Sequence, residues 1–186
     1  MSNWSKKRRV IKCYNVTSSS YDEQYAEEQD AKYKAVQKAL NTQKAEYNNV
    51  LDVGCGSGLF FSNIADKAQT VVGVDVTHKL LLKAKTQAKP FGNVHVVQAD
   101  ADHLPFKAEI FDVVFSFTML QNMPKPLQTL FEFKRQTKTG GKLVVTGLKK
   151  AFELTGFLDL FEDAGLQMLE FIDDDALKCY IAVTQS

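Results

Sequence analysis

An apolar run, Val50-Leu51-Asp52-Val53, leads directly into three alternating glycines, Gly54-Cys55-Gly56-Ser57-Gly58. A second run, Val71-Val72-Gly73-Val74, ends in the carboxylate of Asp75. The pairing predicts a specific device. A buried strand feeds a tight turn whose glycines let a ligand approach backbone, a helix starts with free N–H groups, and the next strand delivers an acid to grip vicinal hydroxyls. Such a device binds a nucleoside-containing cofactor. A dinucleotide fingerprint needs its third glycine at position 59, where this chain has Leu59; its third glycine is Gly58. That spacing departs from the nicotinamide pattern.

Around the turn, strand and helix signals alternate. Runs rich in Val, Ile or Phe predict strands over 49–53, 70–75, 93–98, 111–117 and 142–147, and helices fit 58–67, 78–88, 124–137 and 153–164. Two further apolar runs, 166–172 and 178–184, flank Asp173-Asp174-Asp175 and read as a hairpin. The expected architecture is α/β: a doubly wound, mostly parallel seven-stranded sheet with helices on both faces. Its C-terminal antiparallel hairpin is expected to place the antiparallel strand at an edge.

The N-terminal stretch reads differently. Lys6-Lys7-Arg8-Arg9 and Lys12 precede a Ser18-Ser19-Ser20 cluster, so residues 1–20 are expected to be a flexible basic arm. Ser20 and Glu23 form a capping box for a helical segment over 21–47, with an apolar stripe of Tyr25, Ala26, Tyr33, Val36, Ala39 and Leu40. Residues 21–186 then form one domain, which at this length buries roughly 70% of its unfolded surface.

Composition excludes several classes. The net charge of +1 gives no global reason to bind nucleic acid or membrane. The cysteines, Cys13, Cys55 and Cys179, are three in number and far apart, which favours free thiols over a disulfide framework or zinc site. With no signal-peptide pattern, and no apolar run near the roughly 18–20 residues that span a bilayer, the expected setting is cytoplasmic.

In order along residues 48–184, the motifs resemble those of the class I S-adenosylmethionine-dependent methyltransferases. The first motif is Leu51 to Gly58, and Val74-Asp75 is similar to the acidic second. Gln98-Ala99-Asp100-Ala101-Asp102-His103-Leu104-Pro105-Phe106 and Phe111-Asp112-Val113-Val114 resemble the third and fourth. Met119-Leu120-Gln121-Asn122-Met123-Pro124 and Thr139-Gly140-Gly141-Lys142-Leu143 are similar to the segments that follow. The pattern is nearest the subgroup that includes quinone-biosynthesis methyltransferases. The resemblance implies a Rossmann-like fold and S-adenosyl-L-methionine as cofactor, released as S-adenosyl-L-homocysteine.

Residue roles follow from the resemblance. It implies that the backbone at Gly54, Gly56 and Gly58 approaches the methionine part, with Asp52 near the amino group. Asp75 would accept from both ribose hydroxyls, and Val76 would lie on adenine. Asp100 would accept from the exocyclic amine, with the Ala101 backbone on the ring edge. Ser116 and Phe117 would end the fourth strand beside the sulfonium. Tyr21-Asp22-x-x-Tyr25 resembles a segment that closes over the site, so Tyr21, Tyr25 and also Tyr33 are lid or acceptor candidates.

The acceptor is less determined. Ser116-Phe117-Thr118-Met119 stands where enzymes acting on base amines or glutamine amides carry Asn/Asp-Pro-Pro-aromatic. Gln121 and Asn122 replace a histidine pair found in many relatives and are candidate acceptor contacts. No general base stands out among His78, His95 and His103, and Cys55 reads as packing. A small-molecule acceptor is favoured; RNA or a translation factor, with an activator subunit over a strand edge, is the alternative. A homodimer and a non-catalytic cofactor-binding subunit are also compatible with the chain.

Overall fold

Seven strands rich in Val, Ile and Phe build the centre of the molecule, because alternate residues of each strand feed opposite faces of one sheet. A computed structural model describes residues 3–17, 21–40 and 46–186. The strands are β1 (Tyr47–Val53), β2 (Ala68–Asp75), β3 (Val94–Gln98), β4 (Phe111–Ser116), β5 (Thr137–Leu148), β6 (Gln167–Ile172) and β7 (Cys179–Gln185). The helices are α1 (Asn3–Thr17), α2 (Tyr21–Leu40), α3 (Phe61–Ile64), α4 (His78–Ala88), α5 (Pro126–Gln136) and α6 (Leu154–Asp163). Sheet order is β3-β2-β1-β4-β5-β7-β6. The chain winds outward through β2 and β3, then crosses to β4 on the other side of β1. That reversal beside β1 is where such sheets open a crevice.

Pairing within β1 shows how two cores form. Val50 packs with Phe61, Ala84 and Val36 on the face carrying α2, α3 and α4. Its neighbour Leu51 packs with Leu130, Phe133 and Phe157 on the face carrying α5 and α6. Each fully buried Phe or Leu contributes roughly 1.5–3 kcal/mol. By the same alternation Asp52 turns toward α2. It lies 2% exposed between the apolar residues Leu51 and Val53.

Three expectations need correction. Residues 3–17 form helix α1 instead of a flexible arm, and Lys7 on it is buried. Ser18 to Ser20 lie outside the described residues, and with them the capping box. The helix after the glycine turn is one turn long: α3 covers only Phe61–Ile64 and passes into a 3-10 turn over Ala65–Lys67, because the chain must re-enter the sheet at Ala68. So short a helix lacks the aligned dipole that a phosphate group uses. The antiparallel strand is β7, which sits between β5 and β6 and pairs antiparallel with both; β6 takes the edge. Inserting β7 lets its apolar residues (Ile181, Ala182, Val183) be buried on both faces, whereas β6 is half exposed.

The Phe61 ring is wedged between two glycines. A Cβ at Gly73 would lie 2.5 Å from its Cζ, and one at Gly58 2.5 Å from its Cε2. Gly73→Val should therefore destabilise the fold by ~1–3 kcal/mol through overpacking. Urea unfolding should show a lower midpoint at unchanged slope; an unchanged midpoint would contradict the wedge.

Candidate functional site

The turn after β1 is held in register by β2. Gly54 N–H (2.7 Å) and Cys55 N–H (3.0 Å) both donate to the Val74 carbonyl, and Gly56 N–H donates to Asp75 Oδ2 (3.0 Å). Asp75 Oδ1 accepts from Thr77 N–H at 2.7 Å. The Thr77 hydroxyl and the Val76 N–H also bond to this carboxylate. Gly54 has φ +78°, and a Cβ there would lie 2.7 Å from Met119 Cγ, so no other residue fits between the turn and the segment after β4.

The ends of β1, β2, β3 and β4 converge on an open cavity of about 710 Å³. Gly54, Gly56, Asp75, Val76, Asp100 and Ala101 line it, together with Phe117, Thr118 and Asn122. Lys7, Val10 and Tyr14 of α1 complete its wall. A second hollow of about 290 Å³ adjoins it at Gly54 and Phe117, lined also by Asp52, Ser57, Gln29 and Tyr33. Asp52 thus belongs to the smaller hollow. Gly58 lines neither and serves the Phe61 wedge. Ser116 is fully buried, lines neither, and leaves its Oγ without a hydrogen-bond partner.

Sequence reasoning missed how the N-terminal helices reach the site. Lys7 Nζ donates to both oxygens of Asp100 (2.6 and 2.8 Å) and also pairs with Asp102. Burial lowers the Lys7 pKa, but the bonds to Asp100 and Asp102 outweigh it, and the net shift is upward. Lys6 Nζ donates to the Met123 carbonyl at 2.6 Å, and Asn122 Nδ2 to Tyr14 Oη at 3.3 Å. Gln121 turns inward, its Nε2 donating to the Thr118 carbonyl. On α2, Gln29, Lys32, Tyr33, Val36 and Leu40 form one buried face. The signal was available: Gln29 and Lys32 fall in helical register with the apolar stripe, at positions a solvated residue would not occupy. Tyr33 packs in an aromatic cluster with Phe60 and Phe117, at 4.7 and 4.9 Å between centroids. Tyr21 and Tyr25 lie on α2, but their side chains fall outside the described residues.

Acceptors facing the hollows define what fits. Burial, then the charge of Asp75, pushes the Asp52 carboxyl up to about 8. Burial also raises the Asp75 carboxyl, against the opposing N–H bonds from Thr77 and Gly56. Gln29 Oε1 is buried with no partner. A ligand bringing an ammonium to Asp52 and hydroxyls to Asp75 satisfies these groups. The amino acid and ribose of S-adenosylmethionine offer that set. Burial, then Asp52 and Asp75, raise the Cys55 thiol well above its ordinary value, so it is no nucleophile. His78, His95 and His103 are exposed and are not among the described residues lining the cavity.

Asp52 carries a testable pH signature. Its folded-state pKa lies above the unfolded value of 3.8. Between those values the native state holds the extra proton, and stability falls as pH rises. Asp52→Asn should therefore raise the melting temperature of the ligand-free protein at about pH 7.5 and flatten that decline; thermal melts across pH check it, and a lower melting temperature would contradict it.

Comparison with known proteins agrees with this geometry. A family model described as a methyltransferase domain matches residues 51–145. The tRNA U34 carboxymethyltransferase of Pseudoalteromonas atlantica is 34% identical over 122 residues, covering 64% of this chain and 37% of that protein. The demethylmenaquinone methyltransferase of Staphylococcus saprophyticus is 32% identical over 149 residues, covering 76% and 63%. The chain thus spans less than two thirds of either relative's length. Among solved structures, the complex of a Haloferax volcanii methyltransferase with a methyltransferase activator superposes with TM-score 0.76 at 18% identity, covering 94% of this chain and 96% of that one. At that identity the likeness is one of fold. The matched stretch contains the glycine turn, Asp75, Asp100 and the segment after β4, and the chain belongs to the class I S-adenosylmethionine-dependent methyltransferase family.

Proposed function

We propose that this methyltransferase acts on a small-molecule acceptor, and that the unit formed by the glycine turn and Asp75 holds the donor. The cofactor supplies a methyl group already activated on a sulfonium, so alignment and exclusion of water do much of the work. Asp75 accepts from the ribose hydroxyls, Val76 and Ala101 flank adenine, and Asp52 with Gln29 receives the ammonium. Asp100 reaches the adenine amine only by sharing its carboxylate with Lys7.

The observation favouring a small acceptor is the use made of the basic run. Lys7 is 9% exposed and ion-paired inside the cavity wall, and Lys6 is tied to the segment after β4. Lys7 is thereby withdrawn from RNA phosphates, whose neutralisation needs exposed cations, while Arg8, Arg9 and Lys12 stay exposed. A second reading, an RNA or translation-factor acceptor with an activator subunit, is favoured by one feature. β3 is an edge strand paired on one side only, and the Haloferax volcanii methyltransferase of the same fold binds an activator.

Titration calorimetry with S-adenosylmethionine should show one site, weakened at least tenfold by Asp75→Ala through loss of hydrogen bonds to the bound sugar. A bound ammonium lowers the Asp52 pKa from about 8, so binding near pH 7 should release a proton. The measured enthalpy should then vary with the ionisation enthalpy of the buffer; no variation would exclude Asp52 as the ammonium partner. Incubation with labelled methyl donor and fractionated cell extract should place label in the small-molecule fraction. Label in RNA or protein would favour the second reading.

A further inference from the structure

Lys32 is a cation 1% exposed on the buried face of α2. Lysine is almost never fully buried unless paired, because stripping an ammonium of water is costly. Its Nζ pairs with Glu28 Oε1 at 2.8 Å and donates to Thr118 Oγ1 at 2.7 Å. Glu28 is itself shared with Lys178, so the cluster keeps an excess positive charge. Thr118 is the second residue after β4 and lines the cavity. It has φ +56°, a conformation that a β-branched residue rarely adopts. Three hydrogen bonds fix it there: Lys32 to its hydroxyl, its own N–H to Thr146 Oγ1 (2.7 Å), and Gln121 Nε2 to its carbonyl. The next residue, Met119, abuts Gly54, which puts Thr118 at the glycine-turn end of the cavity. The cation occupies one of the two hydroxyl lone pairs and polarises the Thr118 O–H as a donor.

We infer that Thr118, backed by the buried Lys32, holds an anionic oxygen of the methyl acceptor, so that the acceptor is an ionised oxygen acid such as a phenolate or carboxylate. This rests on the methyltransferase reading of the same cavity. It accounts for the lining chemistry: the titratable lining groups (Lys7, Tyr14, Asp75 and Asp100) come from α1 and the ends of β2 and β3, and no histidine lines the cavity among the described residues. An acceptor that arrives as an anion needs no base. A lone pair on its oxygen forms the new bond to the methyl carbon as the carbon–sulfur bond breaks. That bond's electron pair stays on sulfur, leaving a neutral thioether and a neutral ether or ester. Thr118 touches the acceptor; Lys32 acts through Thr118 as a positioning residue.

The test uses 4-nitrophenol, whose phenolate is read by visible absorbance, with benzoate and aniline as comparison ligands and S-adenosylhomocysteine present throughout. In the intact protein bound 4-nitrophenol should ionise at lower pH than in buffer, benzoate should compete with it, and aniline should not. Thr118→Val should weaken phenolate binding about tenfold or more and abolish the ionisation shift; Thr118→Ser should restore both. Lys32→Met should abolish the shift, and Lys32→Arg should retain part of it. Phenolate binding without a shift, aniline competing as well as benzoate, or Thr118→Val behaving as wild type would overturn the inference. So would a Thr118→Val that loses S-adenosylhomocysteine, which would assign the pair to the cofactor's carboxylate. Failure of the intact protein to bind S-adenosylhomocysteine would instead overturn the methyltransferase reading of the cavity.

Discussion

The carbonyl of Val74 accepts two backbone N–H groups from the turn after β1, at 2.7 and 3.0 Å from Gly54 and Cys55, and everything at the cavity depends on that junction. It binds the end of β2 to the start of the glycine turn, so the turn cannot move without the acid that follows Val74. Gly56 N–H then donates to Asp75, closing a small cycle of backbone and carboxylate. The sheet supplies the rigidity: β1 pairs in parallel with both β2 and β4 and is buried on both faces at Val50 and Leu51. Packing at Gly54 and Gly58 leaves no room for a Cβ, which is why this turn is bare.

Around that fixed unit the charges are arranged in opposed pairs. Burial, then the charge of Asp75 across the turn, raises Asp52 and makes the hollow a receptor for a cation. At the far end, Lys7 bridges Asp100 and Asp102, and Thr129 Oγ1 donates to Asp102 at 2.6 Å, linking α1 through the cavity wall to α5. Lys32 and Glu28 form a third group under Thr118. The site is therefore poised by buried charge in three places. Each would cost stability if left unpaired, and a donor with one ammonium and an acceptor with one anionic oxygen satisfy two of them.

Most of the sheet was legible because its strands carry long Val-rich runs and its turns carry glycine or acid, local signals that tertiary packing does not override. Asp75, Gly54 and Gly56 were legible for the same reason: they sit at the junctions of those runs. What was hidden came from the N-terminal third. Lys7 reads in sequence as one of four consecutive basic residues, and only the acids of the β3–β4 loop, 93 and 95 residues later, draw it inward. Gln29 and Lys32 read as ordinary polar helix residues unless the stripe of α2 is followed through them. The short α3 was misread because apolar residues at 60, 61 and 64 fit a helix, whereas all three serve the core on one face of the sheet. The placement of β7 between β5 and β6 depends on long-range pairing that no local pattern records.

The most direct measurement is a crystal structure with S-adenosylhomocysteine bound. The ribose hydroxyls should lie within hydrogen-bond distance of Asp75, the amino group should reach the hollow lined by Asp52 and Gln29, and the sulfur should face the end of β4 beside Thr118. A ligand bound elsewhere, or one whose sugar does not touch Asp75, would contradict the assignment of this cavity as the methyl-donor site.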